Sequence, residues 1–398
     1  MSFKFGVFGL PVAALFVLSF FGVQQQGTHQ GTQPPAATSS SSSQNAAPIA
    51  SAEIPKTAGW YAVSGSTLES VCAPNTEKYD FHDNCRYVIA AWNSAITDTR
   101  RDRLIIWGGG HADYAGNEIY AFDLNTLKMQ RLNDPSPVND TGKCVETLTD
   151  GKPNSRHTYA AITYMDNVDR MFVFGGSLNE CGYFGNSTWT LDLATLQWTN
   201  MNPTGGKPGA LAGPVADYDP LSKTVLLDDS SDLWQYDYSA NSYKRLGGRA
   251  INYHMNGVID PKHKFFFIVG AGGSEGGGLK AISLDSGKYG MQDWTGHAGK
   301  TCGPLLTANY PGLAYDSAID RVVGWPNFGD TVYLFDPDTR TCTTQTFPGG
   351  PPDSSHQGSD HSTNGTYGRF AYFPSKDVFV LVNQWNHNAY LLKLNPAK

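Results

Sequence analysis

Apolar and polar residues alternate along this chain in short runs, and Gly- and Asp-rich breaks separate the runs. Leu104–Trp107 is one such apolar run, and Gly108, Gly109 and Gly110 end it. A polar loop follows with His111, Asp113, Tyr114, Asn117 and Glu118, and Ile119–Leu124 resumes the alternation up to Asp123. A period of two interrupted by glycines predicts two strands joined by a loop.

The same unit recurs: apolar strand, Asp-rich turn, apolar strand, Gly-rich loop, strand ending in Asp, turn, last strand. Its copies run Trp92–Leu132, Arg156–Met201, Gly213–Leu246, Asn252–Trp294, Tyr310–Phe347 and Gly368–Leu394. A repeat of about 40 to 70 residues with four strands each predicts an all-β propeller, since each sheet has two faces to bury and neighbours around an axis bury both. The sixth copy lacks its outermost strand. Trp60–Val71 is an orphan strand before the first copy and is expected to complete that last blade, leaving no unpaired edge. Six blades follow, and a seventh within a long connection stays open.

The second copy reads VFGGS followed by TWTLDLATLQW, after an Arg-His pair near its first strand. This resembles the kelch repeat, and the resemblance extends over about Trp60 to Leu394, strongest in the first two copies. It implies a kelch-like β-propeller of the galactose-oxidase-like superfamily. Such scaffolds include binding modules, oxidases and, more loosely, polysaccharide lyases, so the fold does not choose the function.

Composition sharpens the class. The 398 residues include 43 Gly and 12 % aromatics, with only 16 % charged side chains, as in a turn-rich β protein. A net charge of −7 argues against nucleic acid as a general partner. Residues 1–23, with Lys4 before an apolar stretch, read as a secretory signal or an uncleaved anchor. Residues 24–56 are rich in Ser, Gln, Pro and Ala and read as a flexible linker, leaving 57–398 for the propeller. The expected location is secreted, periplasmic or cell-envelope, with membrane contact only through that N-terminal segment, and the expected state is a monomer. Six cysteines in an exported chain suggest disulfides. Of the fifteen pairings, Cys72–Cys85, Cys144–Cys181 and Cys302–Cys342 are favoured.

Propeller geometry places the polar residues. With strands A to D running outward from the axis, A–B and C–D turns share one rim, and B–C loops and D-to-A links share the other. His111 and His387 then fall in B–C loops, His157 and His254 at the starts of A strands, and His82, His297, His356 and His361 in links. Only His263 falls on the opposite rim, and His29 is in the linker. Nearest the axis come Arg156, His157, Tyr159, Tyr253, His254, Tyr310, Tyr367 and Arg369, with Trp92 in register with the tyrosines. Aromatic faces, imidazoles and guanidiniums around a depression suit a carbohydrate, the arginines pairing with carboxylates.

The expected chemistry is β-elimination on a uronate-containing glycan. It needs a cation or donor on the carboxylate, a base for the C5 proton and an acid for the leaving oxygen. His157, His254, Tyr253, Arg156 and His111 are the catalytic candidates, a neutral imidazole being suited to proton removal near neutral pH. Tyr159, Tyr310, Tyr367, Arg369, Asn117 and Trp385 are the substrate-binding candidates. No metal ligand set or cofactor is expected, and a calcium site near Asp113 and Asn117 is left open without a loop signature. Three alternatives stand beside the lyase. A non-enzymatic glycan- or protein-binding propeller uses the same rim. A glycoside hydrolase would need a carboxylate pair among Asp113, Glu118, Glu180, Glu275 and Asp360. A copper-radical oxidase would need a Cys linked to a ligand Tyr. Glu118 is expected to support its loop, and Arg103, Arg170 and Arg321 to form scaffold ion pairs.

Overall fold

The computed structural model describes residues 47–49, 53–137, 144–181, 183–248, 251, 253–270, 277–352 and 364–395. The leader 1–23, most of the linker, and Glu275, His356, Asp360 and His361 lie outside the described residues.

Six sheets form six blades. The first contains Ala95–Asp98, Arg103–Ile106, Tyr120–Asp123 and Lys128–Arg131 in antiparallel order outward. The innermost strands of the next five are Ile162–Met165, Val215–Asp219, Met255–Asp260, Gly312–Asp316 and Phe370–Phe373. Each innermost strand contacts its neighbours on both sides, and Phe370–Phe373 returns to Ala95–Asp98, so the ring closes. The A–B turns recur because an Asp at the strand end accepts from backbone N–H groups in the turn. Asp219 does this for Leu221, Asp260 for Lys262 and His263, and Asp316 for Ala318 and Ile319.

Gly59–Val63 completes the last blade by pairing antiparallel with Tyr390–Lys393, as the orphan strand predicted. It is shorter than expected. Ser66 Oγ donates to Val63 O at 2.6 Å, Gly65 has φ 72°, and the chain turns into a 3₁₀ helix at Glu69–Val71. Ala47–Ile49, inside the stretch read as linker, adds a parallel fifth strand to that edge. An open edge of backbone N–H and C=O groups draws chain to itself even where side-chain composition favours none.

The core lies between blades. Trp107, Trp189, Trp294 and Trp325 are fully buried there. Scaffold ion pairs join Arg103 to Asp98, Arg170 to Asp192 and Arg321 to Asp336, and Arg101 grips Asp169 of the second blade with both terminal nitrogens. The three favoured disulfides are present, leaving no free cysteine. Among the described residues no helix is long and apolar enough to cross a membrane. The disulfides fit an oxidising, extracellular or periplasmic setting.

Along the axis the innermost strands enclose a cavity of about 300 Å³. It reaches the A–B turns at Thr99, Asp166, Pro220 and Pro261, the rim that also carries His263.

Candidate functional site

On the opposite rim the chain segments leading into the A strands converge with the B–C loop of the first blade. Gly109 N donates to Arg156 O at 3.0 Å and His111 N to Ser177 O at 3.3 Å, which seats the His111 loop on the second blade. A Cβ on Gly110 would lie 2.3 Å from Arg156 Cα, so this approach requires glycine. Tyr159 N donates to Trp92 O and Tyr310 N to His254 O, joining successive links around the axis.

Eight rings meet there in a continuous cluster. Centroids are 5.7 Å apart for His111 and His157, 5.1 Å for Trp92 and His157, and 6.0 Å for His157 and Tyr159. The series continues through Tyr159 and Tyr253 at 5.8 Å, Tyr253 and Tyr310 at 5.7 Å, and Tyr310 and Tyr367 at 4.6 Å. His254 touches both Tyr253, at 4.7 Å, and Tyr310, at 5.1 Å. Sequence positions far apart thus form one mouth, with His111 exposed and Trp92, Tyr253 and His254 half-buried.

Backbone strain is present in this cluster as well as in the blade turns. His111, Tyr159, Tyr310 and Tyr367 have φ between 48° and 52°, a left-handed conformation that bulky side chains avoid. Equivalent links in three blades hold a tyrosine in the same strained geometry. Burial pushes the Tyr159, Tyr310 and Tyr367 phenols well above the ordinary range, and the neighbouring phenols add to it. They remain neutral at physiological pH. The four phenols lie within mutual electrostatic reach, yet Tyr310 Oη and Tyr367 Oη make no well-aligned hydrogen bond.

Asp113 supplies the contact that spacing did not reveal: its Oδ2 lies 2.6 Å from Nε2 of His157. In sequence Asp113 stands two residues after His111 in the same loop. The structure instead gives it to a histidine on the next blade, a pairing that no local spacing can announce.

Both arginines belong to the scaffold, which corrects the expectation that they meet substrate. Arg156 is fully buried. Its Nε donates to Asn154 O and its terminal nitrogens to Glu146, Gly175 O and Ser187 Oγ. Burial pulls its pKa down against the opposing pull of Glu146. Arg369, also fully buried, donates to the backbone carbonyls of Asn93, Val382 and Gly365 and so stitches the sixth blade to the first. Burial lowers its pKa to about 9. It is still charged at neutral pH, and each of its three nitrogens donates to a backbone carbonyl.

Asn117 also moves from site to scaffold, and Trp385 is half-buried. The Asn117 amide donates to Ser136 Oγ and Pro153 O and accepts from Ser136 N. Both ends of this buried amide are thus engaged within its own loop and the neighbouring connection. Trp385 packs on the apolar core between the sixth and first blades. Glu118 does support its loop: it is buried and accepts from Tyr114 and Tyr120. Burial raises its pKa. All six cysteines being paired, none remains for a Cys–Tyr link of the oxidase kind. Among the described residues the grouping of metal-ligand type is Asp260, His263 and Asp320, on the opposite rim, where Lys262 already caps Asp320.

No family model matches the chain. Among solved structures, it resembles a protein of unknown function from Bacteroides thetaiotaomicron with a TM-score of 0.51 at 10 % identity, covering 85 % of this chain and 76 % of that one. An auxiliary nutrient binding protein from the same organism gives a TM-score of 0.48 at 13 % identity, covering 82 % and 75 %. TolB from Acinetobacter baumannii gives 0.41 at 14 % identity, covering 65 % and 54 %. The first of these likenesses shows the propeller fold and nothing finer.

Proposed function

We propose that this exported propeller, acting as a monomer, binds an acidic, uronate-containing polysaccharide at its aromatic mouth and cleaves it by β-elimination. The observation that carries this reading is the Tyr253–His254 contact, 4.7 Å between ring centroids, half-exposed in the middle of the ring cluster. His254 removes the C5 proton, the C4–O4 bond breaks as its electrons leave with oxygen and C4=C5 forms, and Tyr253 protonates the departing oxygen. The adjacent imidazole then returns a proton to the phenol. His111, exposed at the mouth, meets the uronate carboxylate in place of the arginines. His157, held by Asp113, positions His111 and Tyr159. Trp92 and Tyr253, the half-buried rings of the cluster, receive the sugar rings, while Tyr159, Tyr310 and Tyr367 are buried beneath them and support that surface instead of meeting substrate as the sequence suggested.

The test is incubation of the purified protein with a panel of uronate polysaccharides while following the ultraviolet absorbance of the unsaturated product. Product that depends on Tyr253 and His254 supports the reading, and no product on any member of the panel overturns it. The commitment of both guanidiniums to the scaffold favours a second reading, a glycan-binding propeller without catalysis. Retention on a uronate gel with no absorbance change would select that one.

A further inference from the structure

Among the described residues, the exposed large apolar side chains are Tyr183, Leu211, Leu221 and Phe328. The two aromatic ones, Tyr183 at 59 % and Phe328 at 43 % exposure, have related positions. Tyr183 precedes strand Phe184–Asp192 in the B–C loop of the second blade, and Phe328 lies between Arg321–Trp325 and Thr331–Asp336 in the B–C loop of the fifth. B–C loops share the rim of the mouth. In a six-membered ring the second and fifth blades face each other across the axis.

Each loop is anchored next to the ring cluster. Leu178 N donates to Tyr183 O at 3.2 Å, and Leu178 pairs with Arg156, the neighbour of His157. Asn327 donates to Asn309 O and accepts from Thr366 Oγ1, both at 2.6 Å, and these partners precede Tyr310 and Tyr367. One exposed ring therefore flanks the mouth on each side. An exposed aromatic face costs free energy in water, and a sugar ring laid on it recovers that loss.

We infer that Tyr183 and Phe328 are the outer stacking platforms of a linear glycan laid across the mouth from the second blade to the fifth, so that the substrate is a polymer engaged, and cut, within its length. This rests on the proposal that the mouth holds a glycan. Two platforms on one chain make the second contact intramolecular once the first is formed, so affinity climbs with chain length until both are reached.

The experiment measures binding of uronate oligosaccharides of increasing length, and of the polymer, to the wild-type protein, Tyr183→Ala, Phe328→Ala and the double variant. Product size is read in parallel. Each single variant is expected to weaken polymer binding about two- to tenfold, the effect of a lost aromatic contact. The shortest oligosaccharides should bind all four proteins equally, and melting temperatures should not move because both rings are exposed. Product from the wild type should begin as mid-sized fragments. Polymer binding unchanged in the double variant, or equal loss at every length, would overturn the inference. Length-dependent loss without unsaturated product would sustain the two platforms while removing the cutting step and the lyase, and product formation with an unmoved length profile would remove the platforms and keep the lyase. No binding to any glycan would remove both.

Discussion

Nε2 of His157 lies 2.6 Å from Oδ2 of Asp113, and the pair spans the boundary between the second blade and the first. The imidazole is buried, whereas the carboxylate retains about a quarter of its exposure (27 %). One contact therefore fixes a ring beneath the mouth and the loop that carries His111. Asp113→Ala leaves a buried ring nitrogen unpaired, a cost of about 1–3 kcal/mol. The expected result is a melting temperature lower by several degrees, together with loss of turnover in the absorbance assay. An unchanged melting temperature and unchanged turnover would show that the pair supports neither.

Tyr253→Phe removes one hydroxyl from a half-exposed ring and keeps its contacts with Tyr159, His254 and Tyr310. Turnover on a uronate polysaccharide should fall by about 10²- to 10⁴-fold, the range for a lost proton-transfer group. Binding of the polymer to the variant should stay within a few-fold of wild type. Retained turnover would take the acid role from this phenol.

Arg369→Leu should act on the fold before it acts on any ligand. It strips hydrogen bonds from three buried carbonyls, those of Asn93, Val382 and Gly365, at about 1–3 kcal/mol for each acceptor left bare. Denaturant unfolding should show a lowered midpoint. A variant of wild-type stability that had lost only its affinity for uronate would return Arg369 to the site.

Asp217 lines the axial cavity and accepts from Thr163 Oγ1, Tyr218 N and Ile259 N, tying three innermost strands together. Burial lifts its pKa to about 6 despite these bonds. The folded state therefore holds a proton that the unfolded chain has already released. Stability should fall as pH rises from about 4 to about 6, by up to roughly 2–3 kcal/mol from this group, and level off above. Asp217→Asn should remove that slope, and it should lower stability at acid pH, where an amide N–H₂ would face the Ile259 N–H. Melting curves of both proteins between pH 4 and 7 check this. Parallel slopes would show that another group titrates.

The blades were readable because most of them repeat the same local physics: an Asp in the A–B turn, a Gly-rich or polar break, and period-two alternation between them. The rim rule followed from strand order alone, and it is why His111, His157 and His254 could be expected at one mouth and His263 at the other. Side-chain roles were harder to read. Arg156 and Arg369 are the right residue type for a carboxylate, but a sequence does not show that backbone carbonyls have already taken their donors. Asn117 misled for the same reason, its amide being spent on Ser136 and Pro153. Asp113 was visible as a loop acid, but its histidine is on another blade.

Trp60 pairs with Leu392, residues roughly three hundred positions apart. No shorter piece of the chain can make that bond, so the ring is sealed only after the final strand has left the ribosome or the translocation channel. Until then five blades and part of a sixth stand as an open arc with both lateral edges unpaired. The molecule is accordingly most exposed to proteases and to self-association during this late interval, and any delay in delivering the last strand prolongs it.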